Sequence, residues 1–199
     1  MAKAKAKDFS FQNLAESYDK GFAGKISQKF YNLLLRATEL TEGCVVLDVG
    51  CGTGALLRLM ALQTQIVGYG IDTEEMMVAE AVKKCPGMNI QQFRSEKMPF
   101  KNESVDVITV CLAFHHFSDK EGFAAEAARV LKPGGVLYIA DPRFPAPVRV
   151  VLNRVFRFIN VAGEFNTTEE IGRHFSAHGF VSNGVVIESY AQVVSLRKN

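Results

Sequence analysis

The sequence predicts an open α/β sandwich: a seven-stranded, mainly parallel sheet with an antiparallel hairpin at its C-terminal edge. Three observations carry this. Strand-like and helix-like segments alternate through the middle of the chain, the pattern of a parallel sheet with crossover helices. Residues 45–49 form a short apolar run that ends in glycines, as a buried parallel strand does. The last two β-rich runs, 180–188 and 191–197, are separated by too few residues for a crossover helix, so they should pair antiparallel.

The elements follow in order. Residues 26–40 read as an amphipathic helix with Ile26, Phe30, Leu33 and Leu34 on one face. After the 45–49 strand, residues 55–62 read as a helix and 66–71 as a second strand. Thr73 can cap a helix running to about Lys84, and Pro86-Gly87 breaks the chain. Residues 89–93 make a third strand, and 105–112, rich in β-branched residues, a fourth. A helix over about 119–131 stops at Pro133-Gly134-Gly135, and 136–140 is the fifth strand. Pro142, Pro145 and Pro147 then lead irregularly into an apolar helix at about 148–160. Thr167 or Thr168 starts another helix that ends near Gly179.

A chain of 199 residues fits one domain with a core of its own. Its 48% hydrophobic and 22% charged residues are an ordinary globular balance. The net charge of +2 is spread thinly, which argues against a nucleic-acid surface, where basic charge must cluster. The one basic run, Lys3, Lys5 and Lys7, reads as a solvated tail with no signal-peptide core behind it. No run approaches the about 18 apolar residues of a transmembrane segment. Cys44, Cys51, Cys85 and Cys111 lack metal-site spacing and read as mostly buried thiols in a reducing cytoplasm.

The chemistry concentrates after the first strand, in Asp48-Val49-Gly50-Cys51-Gly52-Thr53-Gly54. Alternating glycines let the backbone turn tightly and approach a ligand. In an open α/β sheet, ligands bind at the carboxyl ends of the strands, where strand order reverses. Gly50, Gly52 and Ala55 also fit a loose dinucleotide pattern. Asp48 separates the readings: a carboxylate there would repel a pyrophosphate, but suits the ammonium and sulfonium of S-adenosylmethionine. Asp72, ending the second strand, can accept both hydroxyls of a ribose in either class.

Val46 to Gly54 resembles the first motif of class I S-adenosylmethionine-dependent methyltransferases, and Gly70-Ile71-Asp72 their second-strand signature. Met98-Pro99-Phe100, Val105 to Ile108, Leu112 to Phe117, and Leu131-Lys132-Pro133-Gly134-Gly135 are similar to their later motifs, in the same order. The likeness is nearest to the ubiquinone/menaquinone-biosynthesis group. It implies a Rossmann-like three-layer sandwich, S-adenosylmethionine as cofactor with S-adenosylhomocysteine as product, and a small-molecule methyl acceptor. It further implies that Tyr18, in Ala15 to Asp19, covers the methionine end of the cofactor. Gly50, Cys51 (through its backbone), Gly52, Gly54, Thr73 and Met76 join Asp48 and Asp72 around it, with Cys111 lining the site through its carbonyl. Arg94 stands where similar proteins place an Asp that bonds adenine; arginine only donates, so Ser95 or Glu96 takes over, or apolar contacts do.

His115 and His116 follow the fourth strand at the expected active-site edge, as candidate bases or acceptor-positioning groups, with His116 favoured by its place in the motif. Their structural alternative is bonding to backbone at a strand end. His174 and His178 read as exposed. Residues 1–25 are expected to form a tail and cofactor cover, and 142–166 an acceptor lid. The 148–160 helix, apolar nearly all round, is buried, closes over an apolar acceptor, or makes a homodimer or membrane-surface contact. Two other functions stay open: a non-catalytic cofactor-binding module, favoured by Arg94, and an NAD-dependent oxidoreductase, opposed by Asp48.

Overall fold

The computed structural model describes residues 22–158 and 163–199. The cofactor-covering role expected of Tyr18 falls outside them. Among the described residues, six α-helices and seven strands run in the order α1 (Phe22–Ala37), β1 (Val45–Val49), α2 (Ala55–Gln63), β2 (Val67–Asp72), α3 (Glu75–Lys84), β3 (Asn89–Gln92) and β4 (Val105–Cys111). There follow α4 (Lys120–Val130), β5 (Leu131–Pro142), α5 (Ala146–Phe158), α6 (Thr168–Ser176), β6 (Phe180–Glu188) and β7 (Ala191–Lys198).

The seven strands form one sheet in the order β3-β2-β1-β4-β5-β7-β6. The five strands from β3 to β5 are parallel, whereas β7 runs antiparallel to both β5 and β6. This is the predicted architecture, hairpin included. Strand order reverses between β1 and β4, which opens a crevice where their carboxyl ends diverge.

Strand alternation sends side chains to both faces, and each face carries helices. On one face, Val46, Val107, Val136 and Val193 pack with Phe30, Leu33 and Leu34 of α1 and with Leu56, Leu57 and Met60 of α2. On the other, Leu47, Ile108, Leu137 and Val194 pack with Phe123 and Ala127 of α4 and with Ile171 and Phe175 of α6. Phenylalanines hold this second layer together: the Phe114 and Phe175 rings lie 5.9 Å apart, and those of Phe117 and Phe123 4.9 Å.

Three local expectations change. Thr73 does not cap α3; it is exposed, and Asp72 takes the role by accepting from the Glu74 N–H at 3.0 Å. The Pro133-Gly134-Gly135 segment, expected as a bare stop, is absorbed into β5. That strand begins at Leu131 with an irregular register between Val105 and Val107. The apolar helix is not buried: α5 buries Asn153 and turns most of its valines outward. The α6 start, by contrast, is a complete capping box, with Thr167 and Glu170 each accepting from the other's backbone N–H.

Candidate active site

The glycine loop leaves β1 and is tied to the end of β2, where the Ile71 carbonyl accepts from the N–H groups of Gly50 and Cys51. Gly50 takes φ 73°, and a Cβ there would stand 2.5 Å from that of Ala113, so only glycine lets the β1 and β4 loops meet. Gly52 also has positive φ, 52°, but a Cβ there would meet no protein atom within 4 Å. The loop is thus packed on one side and open on the other. Gly54 precedes α2 and donates to the Cys51 carbonyl.

Two carboxyls flank this loop. Asp48 is buried, and its Oδ1 accepts the Thr109 hydroxyl at 2.7 Å. Burial pushes its pKa up to about 7, the Thr109 hydrogen bond works against the shift, and the nearby Asp72 charge adds to it. Asp72 accepts from Gly52 N–H at 2.8 Å through Oδ2, so it joins the glycine loop to the start of α3. Burial raises its pKa too, against the backbone bonds it accepts. Neither carboxyl has a cationic side chain among the causes of its shift. A cation lodged beside Asp48 would supply the compensation that the described residues do not.

The remaining predicted residues are placed as follows. The Cys51 and Cys111 thiols are pushed well above their ordinary range, first by burial and then by Asp48, so both are protonated packing groups. Met76 is half exposed on the first turn of α3, free of the core. Ser95 is buried and donates to Glu96 at 3.3 Å. Arg94 is drawn onto Glu96 and Ser118. Burial alone would raise the Glu96 pKa, but the Arg94 hydrogen bond and charge hold it below the usual range.

The backbone is strained where β4 ends. Leu112 adopts φ 56°, in the left-handed region that costs a branched side chain about 1 kcal/mol or more. That bend launches a short 3₁₀ turn, Phe114–His116. His115 is buried, and both its backbone N–H and its Nδ1 lie 2.9 Å from the carboxylate of buried Asp141. An ionised carboxylate only accepts, so Nδ1 is the donor and Nε2 is left as the basic nitrogen. The ring stacks on Phe165 at 5.1 Å, and His116 lies 4.0 Å away, exposed. The motif position favours His116, but the buried, oriented histidine is His115.

Sequence reasoning missed Asp141, the penultimate residue of β5; a lone acid there has no local signature. It also missed Asn153, which holds the Phe165 backbone from both sides: Nδ2 donates to its carbonyl at 3.1 Å and Oδ1 accepts from its N–H at 3.0 Å. Phe144, Phe156 and Phe165 cluster above His115. A cleft of about 350 Å³ opens at this edge, lined by Glu121, Glu164, Asn166, Glu170, Arg173 and His174. His174 and His178 are not exposed but half-buried, and both pair with Glu121.

Residues 47–139 match the family model described as a methyltransferase domain. The chain is 36% identical over 132 residues to the demethylmenaquinone methyltransferase of Tropheryma whipplei (strain Twist), a match covering 61% of this chain and about half, 55%, of that relative. It is 30% identical over 187 residues to an uncharacterized methyltransferase of Geobacillus kaustophilus (strain HTA426), covering 85% of this chain and 86% of the relative. Among solved structures, the putative methyltransferase in complex with the Trm112 methyltransferase activator of Haloferax volcanii superposes with a TM-score of 0.81 at 21% identity. That superposition covers 97% of this chain and 99% of the other.

Proposed function

The chain belongs to the class I S-adenosylmethionine-dependent methyltransferases, and from that premise we propose that it methylates a small, apolar aromatic acceptor bearing a hydroxyl, of the quinol type. One observation carries the cofactor reading: a carboxyl buried at a glycine turn, its pKa raised to about 7, with no cationic side chain among the described residues contributing to the shift. The residues fit S-adenosylmethionine. Asp48 answers its cationic amino-acid end, Asp72 accepts the ribose hydroxyls with lone pairs its backbone bonds leave free, and the open side of Gly52 admits close approach. Met76 covers the nucleoside from α3, and Ser95 and Glu96 hold the adenine edge. Bound there, the cofactor would supply an activated methyl group on sulfur for transfer to the acceptor.

The protein's own work is orientation, exclusion of water and removal of a proton. His115 Nε2 takes the acceptor hydroxyl proton, while Asp141 fixes the tautomer and steadies the imidazolium that results. Phe144, Phe156 and Phe165 offer the aromatic acceptor an apolar wall, with segment 142–166 as its lid. Two buried carbonyl oxygens here, Asn166 Oδ1 and Gln192 Oε1, have no hydrogen-bond partner among the described residues, and a hydroxylated acceptor brings donors to meet them.

The relative from Tropheryma whipplei is named for demethylmenaquinone, which supports a quinol acceptor. Calorimetric titration with S-adenosylmethionine and with NADH tests the cofactor reading: micromolar binding of the first and none of the second is expected. The reverse would overturn it. Methyl transfer to a panel of quinols, phenols and amines then tests the acceptor class.

A further inference from the structure

Helix α5 carries its apolar side outward. Val148, Val151, Val155 and Phe158 recur at helical spacing on one stripe, with Val151 60% and Phe158 89% exposed. The opposite side is pinned to the protein: Asn153 clamps Phe165, and Arg149 pairs with Glu170 at 2.7 Å. A helix that served only to close the site would turn its valines inward. Here polar contacts hold them to the outside.

The charge on the helix is one-sided as well. Arg154 is exposed beside the apolar stripe, Arg157 is exposed one turn after Asn153 with its Nε donating to the Asn153 carbonyl, and α5 contains no acidic residue. Apolar residues flanked by arginines, on a helix too short to span a bilayer, are the composition of an element that lies in a lipid interface. Among the described residues no helix is long and apolar enough to cross a membrane.

We propose that α5 docks this protein onto an anionic lipid surface, with the valine and Phe158 stripe at the acyl boundary and Arg154 and Arg157 at headgroup phosphates. A second copy fits this face less well. A two-fold contact through α5 would set the arginines of both copies together with no carboxylate on the helix to pair them. Thirteen residues make a helix only about 20 Å long, too little for the ~800 Å² per partner of a stable dimer. Docking stands apart from methyl transfer; only its use, delivering an apolar acceptor from the bilayer to the site beneath α5, rests on the function proposed above.

Flotation of the full chain with vesicles tests this. Binding is expected to vesicles of mixed phosphatidylcholine and phosphatidylglycerol, and to be about tenfold or more weaker with phosphatidylcholine alone or in high salt. Val151→Asp combined with Val155→Asp should abolish it, and Arg154→Glu with Arg157→Glu should remove the preference for anionic lipid. Both pairs are exposed, so thermal midpoint and S-adenosylhomocysteine binding should not change. A polarity-sensitive dye on Phe158→Cys should shift to the blue only when vesicles are added. Failure to float with anionic vesicles overturns the proposal. So does a dye already shielded in buffer, and sedimentation velocity then assigns the cover to residues 1–21 in a monomer or to a second copy in a dimer. Vesicle binding without cofactor binding would instead sink the methyltransferase reading and leave docking intact.

Discussion

The Thr109 hydroxyl donates to Asp48 at 2.7 Å across the two strands that flank the crevice, and this bond tunes the carboxyl proposed to answer the cofactor's charge. Without it, burial and Asp72 would push the Asp48 pKa above its value of about 7. A cation can use Asp48 fully only when the carboxyl is ionised. S-adenosylhomocysteine affinity should therefore climb as pH rises to about 7 and then level off. Titrations at pH 6 in buffers of different ionisation enthalpy should show a proton released on binding. Thr109→Val should move the plateau to higher pH. Asp48→Asn should erase the pH dependence and weaken binding by about ten- to a hundredfold, as expected for a lost charge-assisted bond.

The same carboxyl shapes the stability of the ligand-free chain. Its folded pKa lies above the ordinary 3.8, so the folded state binds the proton more tightly than the unfolded state. Its stabilising contribution is then fully present below the unfolded pKa and is lost as pH rises through about 7. Asp72, also raised by burial, acts in the same direction. The Asp48 shift corresponds to about 4 kcal/mol at most, by 1.36 kcal/mol per pKa unit. Urea midpoints of the ligand-free protein should fall between pH 5 and pH 8, and Asp48→Asn should flatten that slope. A midpoint rising over this range in the wild type would contradict the placement of Asp48.

His115 and Asp141 should act as a unit on the acceptor. Asp141→Asn leaves a partner that no longer fixes the Nδ1–H tautomer, and His115→Gln removes the base. Either should lower kcat by about a hundredfold to ten-thousandfold with acceptors that keep their proton at neutral pH. Both should have little effect with an acceptor ionised beforehand, and neither should move cofactor affinity. Steady-state rates against acceptor pKa measure this. An equal loss for both acceptor types would reduce the pair to a structural role.

Much of the sheet was legible because burial writes itself into the chain. The β1 run Val45 to Val49 is apolar but for Asp48 since both faces of that strand are covered, and the glycines after it mark the turn. What stayed hidden depends on contacts distant in sequence. Thr73 looked like a helix cap because local pattern cannot show that Asp72 would already be turned to the Glu74 N–H. The α5 valines announced a helix but not its orientation; with apolar residues nearly all round, its inner face was settled by Asn153 and the Phe165 backbone twelve positions away. The partnership of His115 with Asp141 crosses from the turn after β4 to β5 and leaves no trace in either segment.

Asn153 allows a direct measure of what holds α5 in place. Its side chain satisfies both backbone groups of Phe165, the residue that stacks on His115. Asn153→Ala leaves those groups buried without partners, at about 1–3 kcal/mol in stability. Because the loss falls on the wall above His115, acceptor KM should rise while cofactor affinity stays constant. Asn153→Asp keeps the acceptor for the Phe165 N–H but loses the donor to its carbonyl, and should fall between the two.

Gly50 and Gly52 separate folding from binding within one loop. Both have positive φ, so alanine at either costs about 1–2 kcal/mol in backbone strain alone. At Gly50 the new methyl would also stand 2.5 Å from Ala113 Cβ, forcing the β1 and β4 loops apart. Gly50→Ala should therefore lose several kcal/mol of stability, read as a large drop in urea midpoint. At Gly52 the methyl meets no protein atom within 4 Å, so Gly52→Ala should fold with only the strain penalty. Yet the open space it enters is where the proposed cofactor would approach the backbone. Gly52→Ala should then lose most cofactor binding while remaining folded, and a folded variant that binds with wild-type affinity would place the cofactor elsewhere.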